Sequence, residues 1–134
     1  ITHCDFITYS FCCINNKIMK FRGKVVSPMY EHNDKKYMRL RVPPEMARVV
    51  LNIEAKNNYK LNPEKYIQKD FFDNTLTLKI PFRYRRVMCP MSGRKPIQEV
   101  VTGDEVDVEV EYTGVWHAGD YGGHSWKIKN IHIY

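Results

Sequence analysis

Residues 104–124 read DEVDVEVEYTGVWHAGDYGGH, and residues 125–134 follow as SWKIKNIHIY. From Asp104 to Tyr112 acidic and apolar residues alternate one for one. Only an extended strand with one buried face satisfies that order, because successive side chains point to opposite sides with a period of two. Val106, Val108, Val110 and Tyr112 are therefore expected to face a core, with Glu105, Asp107, Glu109 and Glu111 facing water. Gly119, Tyr121, Gly122 and Gly123 then read as a flexible loop spanning residues 117–124, from which a return strand starts at Trp126. Trp116 continues the inward register unless Gly114 introduces a bulge.

Outward from this hairpin, two other segments alternate in the same way. Residues 36–42 (KYMRLRV) place Met38, Leu40 and Val42 on one side and Tyr37, Arg39 and Arg41 on the other, and Pro43 and Pro44 end the strand. Residues 75–87 (TLTLKIPFRYRRV) place Leu76, Leu78, Ile80, Phe82 and Tyr84 on one face and Thr75, Thr77, Lys79, Arg83 and Arg85 on the other. Pro81 lacks an amide donor and marks an edge, bulge or bend. Residues 21–29 (FRGKVVSPM) read as the first strand, with Gly23 where the strand must bend or another backbone comes close. Turn chemistry follows at residues 31–34 (EHND) and again at Asp73-Asn74.

The middle of the chain is ambiguous. Residues 48–55 (RVVLNIEA) carry β-branched side chains suited to a strand, while PPEMARVVLNIEAK also fits a helix with proline in its first turn; the strand is preferred. Asn62-Pro63-Glu64 has the form of a helix start, with Asn as cap and Pro in the first position. Residues 88–103 (MCPMSGRKPIQEVVTG) form a long connection, of a kind more often functional or mobile than a tight turn. The expected fold is mostly β: a five- to six-stranded β-barrel with one or two short helices.

A chain of 134 residues is one domain. Residues 1–18 fit it poorly. They hold three of the four cysteines and show neither strand nor helix period, whereas Met19 opens a clean strand pattern. They are expected to be a non-native upstream or disordered extension ahead of a domain over residues 19–134. Without them only Cys89 remains, so no disulfide framework is expected and a reducing, intracellular compartment is the natural setting. No apolar run approaches the ~20 residues needed to cross a bilayer, so no membrane association is expected.

Charge is zoned. The net charge is +6; residues 17–41 carry eight Lys or Arg against two acids, residues 79–95 six against none, and residues 99–111 six acids and no base. One surface can thus be strongly cationic while another repels phosphate. No phosphate-binding loop, GxSxG elbow or HExxH pair is present. Cys89 has no partner in sequence to activate it and reads as an ordinary loop residue. Cys89, His117, His124 and His132 lack the short paired spacing of zinc sites. Asp104, Asp107, Glu109 and Glu111 would suit a metal-dependent nuclease only if they converged, and carboxylates two residues apart on a strand are spread by ~7 Å per step. No catalytic residue, metal or cofactor is expected.

The cations tell more. Tyr37, Arg39 and Arg41 interleave an aromatic ring with two guanidiniums on one strand face; Arg83, Arg85 and Arg86 add charge, and Lys127 and Lys129 share a face of the last strand. Aromatic rings that stack on bases, beside cations that track phosphates, suit unpaired nucleic acid, and the plainer alternative is a solvated outer barrel face. Tyr121 is the best loop candidate for stacking. Trp116 and Trp126 are further candidates, although Trp126 suits a cap on the barrel equally well.

At these segments the chain resembles the OB-fold single-stranded DNA-binding proteins, particularly the small ones of phages and large DNA viruses. The likeness is carried by FRGKVVSP (21–28), KYMRLRVP (36–43), GDEVDVEVEYTGVW (103–116) and the closing SWKIKNIHIY (125–134), a pattern spread over residues 19–134. It implies a groove across the second and third strands, flanked by the loops joining strands one to two and four to five. On this sequence those positions are Tyr37, Arg39, Arg41, residues 31–34 and residues 117–124. The resemblance implies non-enzymatic binding of single-stranded DNA with low sequence specificity, in replication, recombination or repair, in a cell or in the cytoplasm or nucleus of a virus host. The alternatives are an RNA-binding barrel, a structural or protein-interaction module and a small nuclease. The segment from Pro43 to Asn74 is longer than a minimal barrel requires.

Overall fold

The computed structural model describes the backbone of residues 11–13 and the whole of residues 17–134. Its elements in chain order are β1 (Phe11–Cys13), β2 (Ile18–His32), β3 (Lys35–Arg41), α1 (Pro44–Asn57), β4 (Tyr66–Gln68), β5 (Phe71–Phe72), β6 (Thr75–Ile80), β7 (Phe82–Arg83), β8 (Arg86–Val87), β9 (Met91–Gly93), β10 (Glu105–Ala118) and β11 (Tyr121–Ile133), with 3-10 turns at Asn58–Lys60 and Ile97–Glu99. The fold is mostly β, with one α-helix among the described residues.

The acidic-apolar alternation becomes β10, and Val106, Val108, Val110 and Tyr112 are all buried. Asp107 departs from the expected outward set. It is 6% exposed, because Arg22 Nε on the neighbouring strand donates to its Oδ1 at 2.9 Å and the Tyr134 hydroxyl donates to its Oδ2. A buried carboxylate is tolerable only with such partners.

The expected loop at residues 117–124 is instead continuous hairpin. Only Gly119 and Asp120 lie in the turn, with Gly119 at φ 58°, and β11 begins at Tyr121, paired with Ala118. The two following glycines serve close approach. A Cβ on Gly123 would lie 2.7 Å from the Gln68 carbonyl oxygen and 3.1 Å from Trp116 Nε1.

β2 is long enough to serve two neighbours. Its first half pairs antiparallel with β10, from Ile18 opposite Glu111 to Lys24 opposite Glu105. Its second half pairs with β3, from Lys24 opposite Arg41 to His32 opposite Lys35. The handover falls beside Gly23, where a Cβ would sit 3.0 Å from the Arg41 carbonyl oxygen. β3 pairs with β6, and β6 meets β11 in a parallel bridge, Lys79 opposite Lys127. The path β2-β3-β6-β11-β10 therefore returns to β2 and closes. Inside it lie Phe21, Met38, Leu40, Leu78, Val108, Trp126, Ile128 and Ile131, each 1% exposed or less.

Three other expectations change. Residues 48–55 belong to α1, not to a strand: Met46, Ala47, Val50 and Ile53 are buried along one helical face, a spacing that outweighs the strand preference of Val and Ile. Pro44 sits at its start, where no amide is needed. Asn62 does cap locally, since its Oδ1 accepts from the Glu64 N–H at 2.9 Å, but no helix follows. Tyr66, Ile67 and Gln68 are all exposed, and β4 pairs its backbone with the edge of β11 instead. The segment 75–87 stops being one strand at Pro81. Phe82 and Tyr84 do not continue the buried face; they are 37% and 81% exposed on the small separate hairpin β7-β8.

The connection 88–103 packs as a lid on one end of the ring, with β9 paired to β11 and Ile97 and Val100 buried. Cys89 is likewise core rather than loop surface, and burial pushes its thiol pKa up, away from reactivity. Of the expected extension over residues 1–18, residues 1–10 and 14–16 lie outside the described residues. Within it, β1 pairs antiparallel with β2, and the Lys17 carbonyl accepts from the Tyr112 N–H at 2.8 Å. No helix is long and apolar enough to cross a membrane among the described residues.

Candidate nucleic-acid interface

The β2-β3 hairpin and the β10-β11 hairpin both extend beyond the closed part of the ring, and the open groove between them has a volume of about 870 Å³. Local chemistry sets each wall. Asn33 and Asp34 take φ of 51° and 64°, the double left-handed turn that Asn and Asp tolerate best, so β2 reverses into β3 with no loop between them. That register brings Tyr30 opposite Tyr37, rings stacked with centroids 5.8 Å apart, while the Arg39 guanidinium lies 5.8 Å from the Tyr30 ring centre. His32 leans on Tyr37 at 6.5 Å.

On the opposite wall the bulge at Gly114, φ 113°, shifts the register of β10. Trp116 then faces the groove instead of continuing the buried row, and its indole N–H donates to the His124 carbonyl oxygen at 3.2 Å. Tyr121 is half exposed and lies 6.0 Å from Tyr66, which β4 supplies by pairing with β11. The floor comes from Thr77 and Lys79 on β6, together with Lys69 and Asp70.

Five cations of the described residues are held in ion pairs: Lys20 with Glu109, Arg22 with Asp107, Lys36 with Glu31, Lys95 with Asp104 and Lys127 with Glu111. The groove cations Lys35, Arg39, Lys69 and Lys79 are not among them. The Lys79 pKa is held down by burial and by the neighbouring charges of Lys35 and Lys127. Among the described residues one acid, Asp70, shares the groove with them. Asp70 is raised to about 7, first by burial and then by the Glu54 carboxylate, with the Trp116 indole acting in the other direction.

Of the residues expected from sequence, Tyr37, Arg39, Trp116 and Tyr121 come together in the groove, and Arg41 continues the same exposed face of β3 beyond it. Trp126 does not share this position. It borders the groove from beneath at 1% exposure, with its indole N–H donating to Glu54 Oε2 at 2.9 Å, and it has no ring face to offer a base. Lys127 and Lys129 lie outside the groove lining, and Lys127 is neutralised by Glu111 at 3.5 Å. Arg83, Arg85 and Arg86 sit on the β7-β8 hairpin.

Tyr30, Lys35, Tyr66, Lys69, Asp70 and Lys79 stand at the groove without being among the residues expected from sequence. Lys35 and Tyr30 were within reach, because the turn EHND implies that both flanking residues lie at a hairpin tip. Tyr66 and Lys69 were not, since they depend on β4 running parallel along β11.

No protein-family model matches the sequence, and no curated protein matches it. Two solved structures share the fold. The single-stranded DNA-binding protein from bacteriophage Enc34, as a C-terminal truncation, aligns over 91% of each chain with a TM-score of 0.59 and 11% identity. The same phage protein in complex with single-stranded DNA aligns over 92% of each chain with a TM-score of 0.56 and 11% identity.

Proposed function

We propose that the closed ring is an OB-type β-barrel whose groove binds single-stranded DNA with little sequence preference and without catalysis, in DNA replication, recombination or repair. The observation that carries this reading is the groove itself: Tyr30, Tyr37, Trp116 and Tyr121 line one channel with Lys35, Arg39, Lys69 and Lys79. Rings stack on any base, at ~1–3 kcal/mol per base, and cations follow the phosphates; neither interaction reads sequence. A phage protein of the same fold has been seen holding single-stranded DNA. The non-catalytic part of the reading rests on the acids of β10. Asp107 is covered by Arg22 and Tyr134, Glu109 pairs with Lys20 and Glu111 with Lys127, so they are committed along the strand rather than converging.

Titration of the protein with oligo-dT, oligo-U and a matched duplex, followed by tryptophan fluorescence, tests it. Trp116 is the reporting side chain, because Trp126 is sealed in the core. Salt-sensitive quenching by oligo-dT in preference to duplex is the expected result, and a stronger response to oligo-U would reassign the groove to RNA. Replacing Arg39 and Arg41 by Ala should weaken binding and reduce the slope of log K against log salt by about 1.4, at ~0.7 for each phosphate no longer neutralised. Unchanged affinity would remove β3 from the site.

A further inference from the structure

Among the described residues, three hairpin turns place two successive non-glycine residues at positive φ: Asn33-Asp34 at 51° and 64°, Asp73-Asn74 at 53° and 57°, and Tyr84-Arg85 at 56° and 62°. The first two use the residue types that this conformation tolerates. The third does not. Its backbone asks for Asn-Gly, and a tyrosine and an arginine hold it only against the steric penalty that left-handed geometry imposes on a β-carbon. Such strain persists either because packing forces it or because the side chains are needed there. Packing does not force it here: Tyr84 is 81% exposed, and the hairpin has only the two pairs Phe82-Val87 and Arg83-Arg86.

The charge points the same way. Arg83, Arg85 and Arg86 are exposed, and none of them is in an ion pair among the described residues. The hairpin meets the groove only around the β2-β3 tip. Lys36 Nζ lies 5.1 Å from the Phe82 ring centre at the hairpin's base, on the face of β3 opposite to Lys35 and Tyr37, which line the groove.

We propose that the β7-β8 hairpin is a second contact for single-stranded DNA, reached by the strand as it leaves the groove past the β2-β3 tip, with Tyr84 stacking on a base and Arg83, Arg85 and Arg86 holding phosphates. The inference rests on the groove being a single-strand site. It implies that a strand confined to the groove does not feel the hairpin, whereas a longer one does.

The test is the full chain carrying Tyr84→Asn and Arg85→Gly together, assayed against oligo-dT of about 6 and about 20 nucleotides, one near the lower end of the usual span of one such barrel and one beyond its upper end. Relief of the turn should raise the melting temperature. Affinity for the long oligonucleotide should fall roughly 5- to 150-fold, the range expected for one base stack removed, while affinity for the short one stays the same. A change that stabilises the fold and weakens only long-strand binding has no explanation in general damage. Arg83→Gln with Arg86→Gln, which leaves the turn untouched, should lower the long-strand salt slope by about 1.4. Unaltered long-strand affinity in both variants overturns the hairpin contact while leaving the groove intact, and so does an equal loss for both lengths. Failure of the unaltered protein to bind either oligonucleotide overturns the groove reading, and the hairpin contact with it.

Discussion

Among the described residues, Asp70 is the one carboxylate set among the cations of the groove, and its position makes binding depend on pH. With a pKa of about 7 against an ordinary 3.8, the folded protein prefers the protonated acid. Its contribution to stability is complete below about pH 4 and is lost as the pH rises through 7, so Asp70→Asn should stabilise the fold most above pH 7. The same ionisation sets a negative charge beside the proposed phosphate path. Affinity for oligo-dT should therefore drop between pH 6 and 8 in the native protein. Asp70→Asn should match it at pH 6 and bind roughly 3- to 10-fold more tightly at pH 8, the effect of about 1 kcal/mol of screened repulsion. His32 and His117 also line the groove, so the difference between the two proteins, rather than either pH profile alone, isolates the carboxylate. None of this was legible in the sequence. Asp70 there is one acid in a mixed stretch, and its raised pKa depends on burial and on the Glu54 carboxylate from the helix, against the opposing hydrogen bond of the Trp116 indole.

Elements were legible where burial has a simple period. The alternation in β3, in β6 as far as Ile80 and, Asp107 apart, in the first half of β10 maps onto more and less buried faces, because each of these strands has the core on one side. Legibility failed where local signals served a tertiary purpose. The Asn-Pro-Glu start capped a turn that leads into β4, and the Val-rich stretch after Pro44 formed a helix because its apolar residues fall on one helical face. Gly122-Gly123 resembled a loop but supplies room for β4 and for the Trp116 ring. Gly123→Ala tests that last reading directly. Its Cβ would press on the Gln68 carbonyl oxygen at 2.7 Å, so β4 must detach or Trp116 must shift. The expected cost is about 1–3 kcal/mol in chemical denaturation, together with weaker oligonucleotide binding as Tyr66 leaves the wall. A flexible-loop role would instead predict a neutral or slightly stabilising change.

At the scale of the whole molecule, the groove is made of the same strands that close the ring, so binding and folding must be linked. β2, β3, β6, β10 and β11 each contribute both to the core and to the groove. A buried chain reinforces this unity. The Tyr112 hydroxyl donates to His124 Nδ1 at 2.7 Å, and His124 Nε2 donates to Asn58 Oδ1 at 2.8 Å, which ties the end of α1 to the hairpin behind Trp116. Burial keeps His124 neutral by lowering its pKa, which this pattern of one accepting and one donating nitrogen requires. A domain of this size with one shared core should unfold in a single transition. A ligand that binds only the closed ring then stabilises it by about 2.7 kcal/mol at a free concentration of 100 times its Kd at the melting temperature. For a chain of this length that corresponds to a rise of roughly 8–13 °C. Oligo-dT should produce that shift in scanning calorimetry and keep the transition single, while a matched duplex at equal phosphate concentration should produce far less. A split into two transitions, with only one moved by oligo-dT, would mean that the groove melts apart from the core.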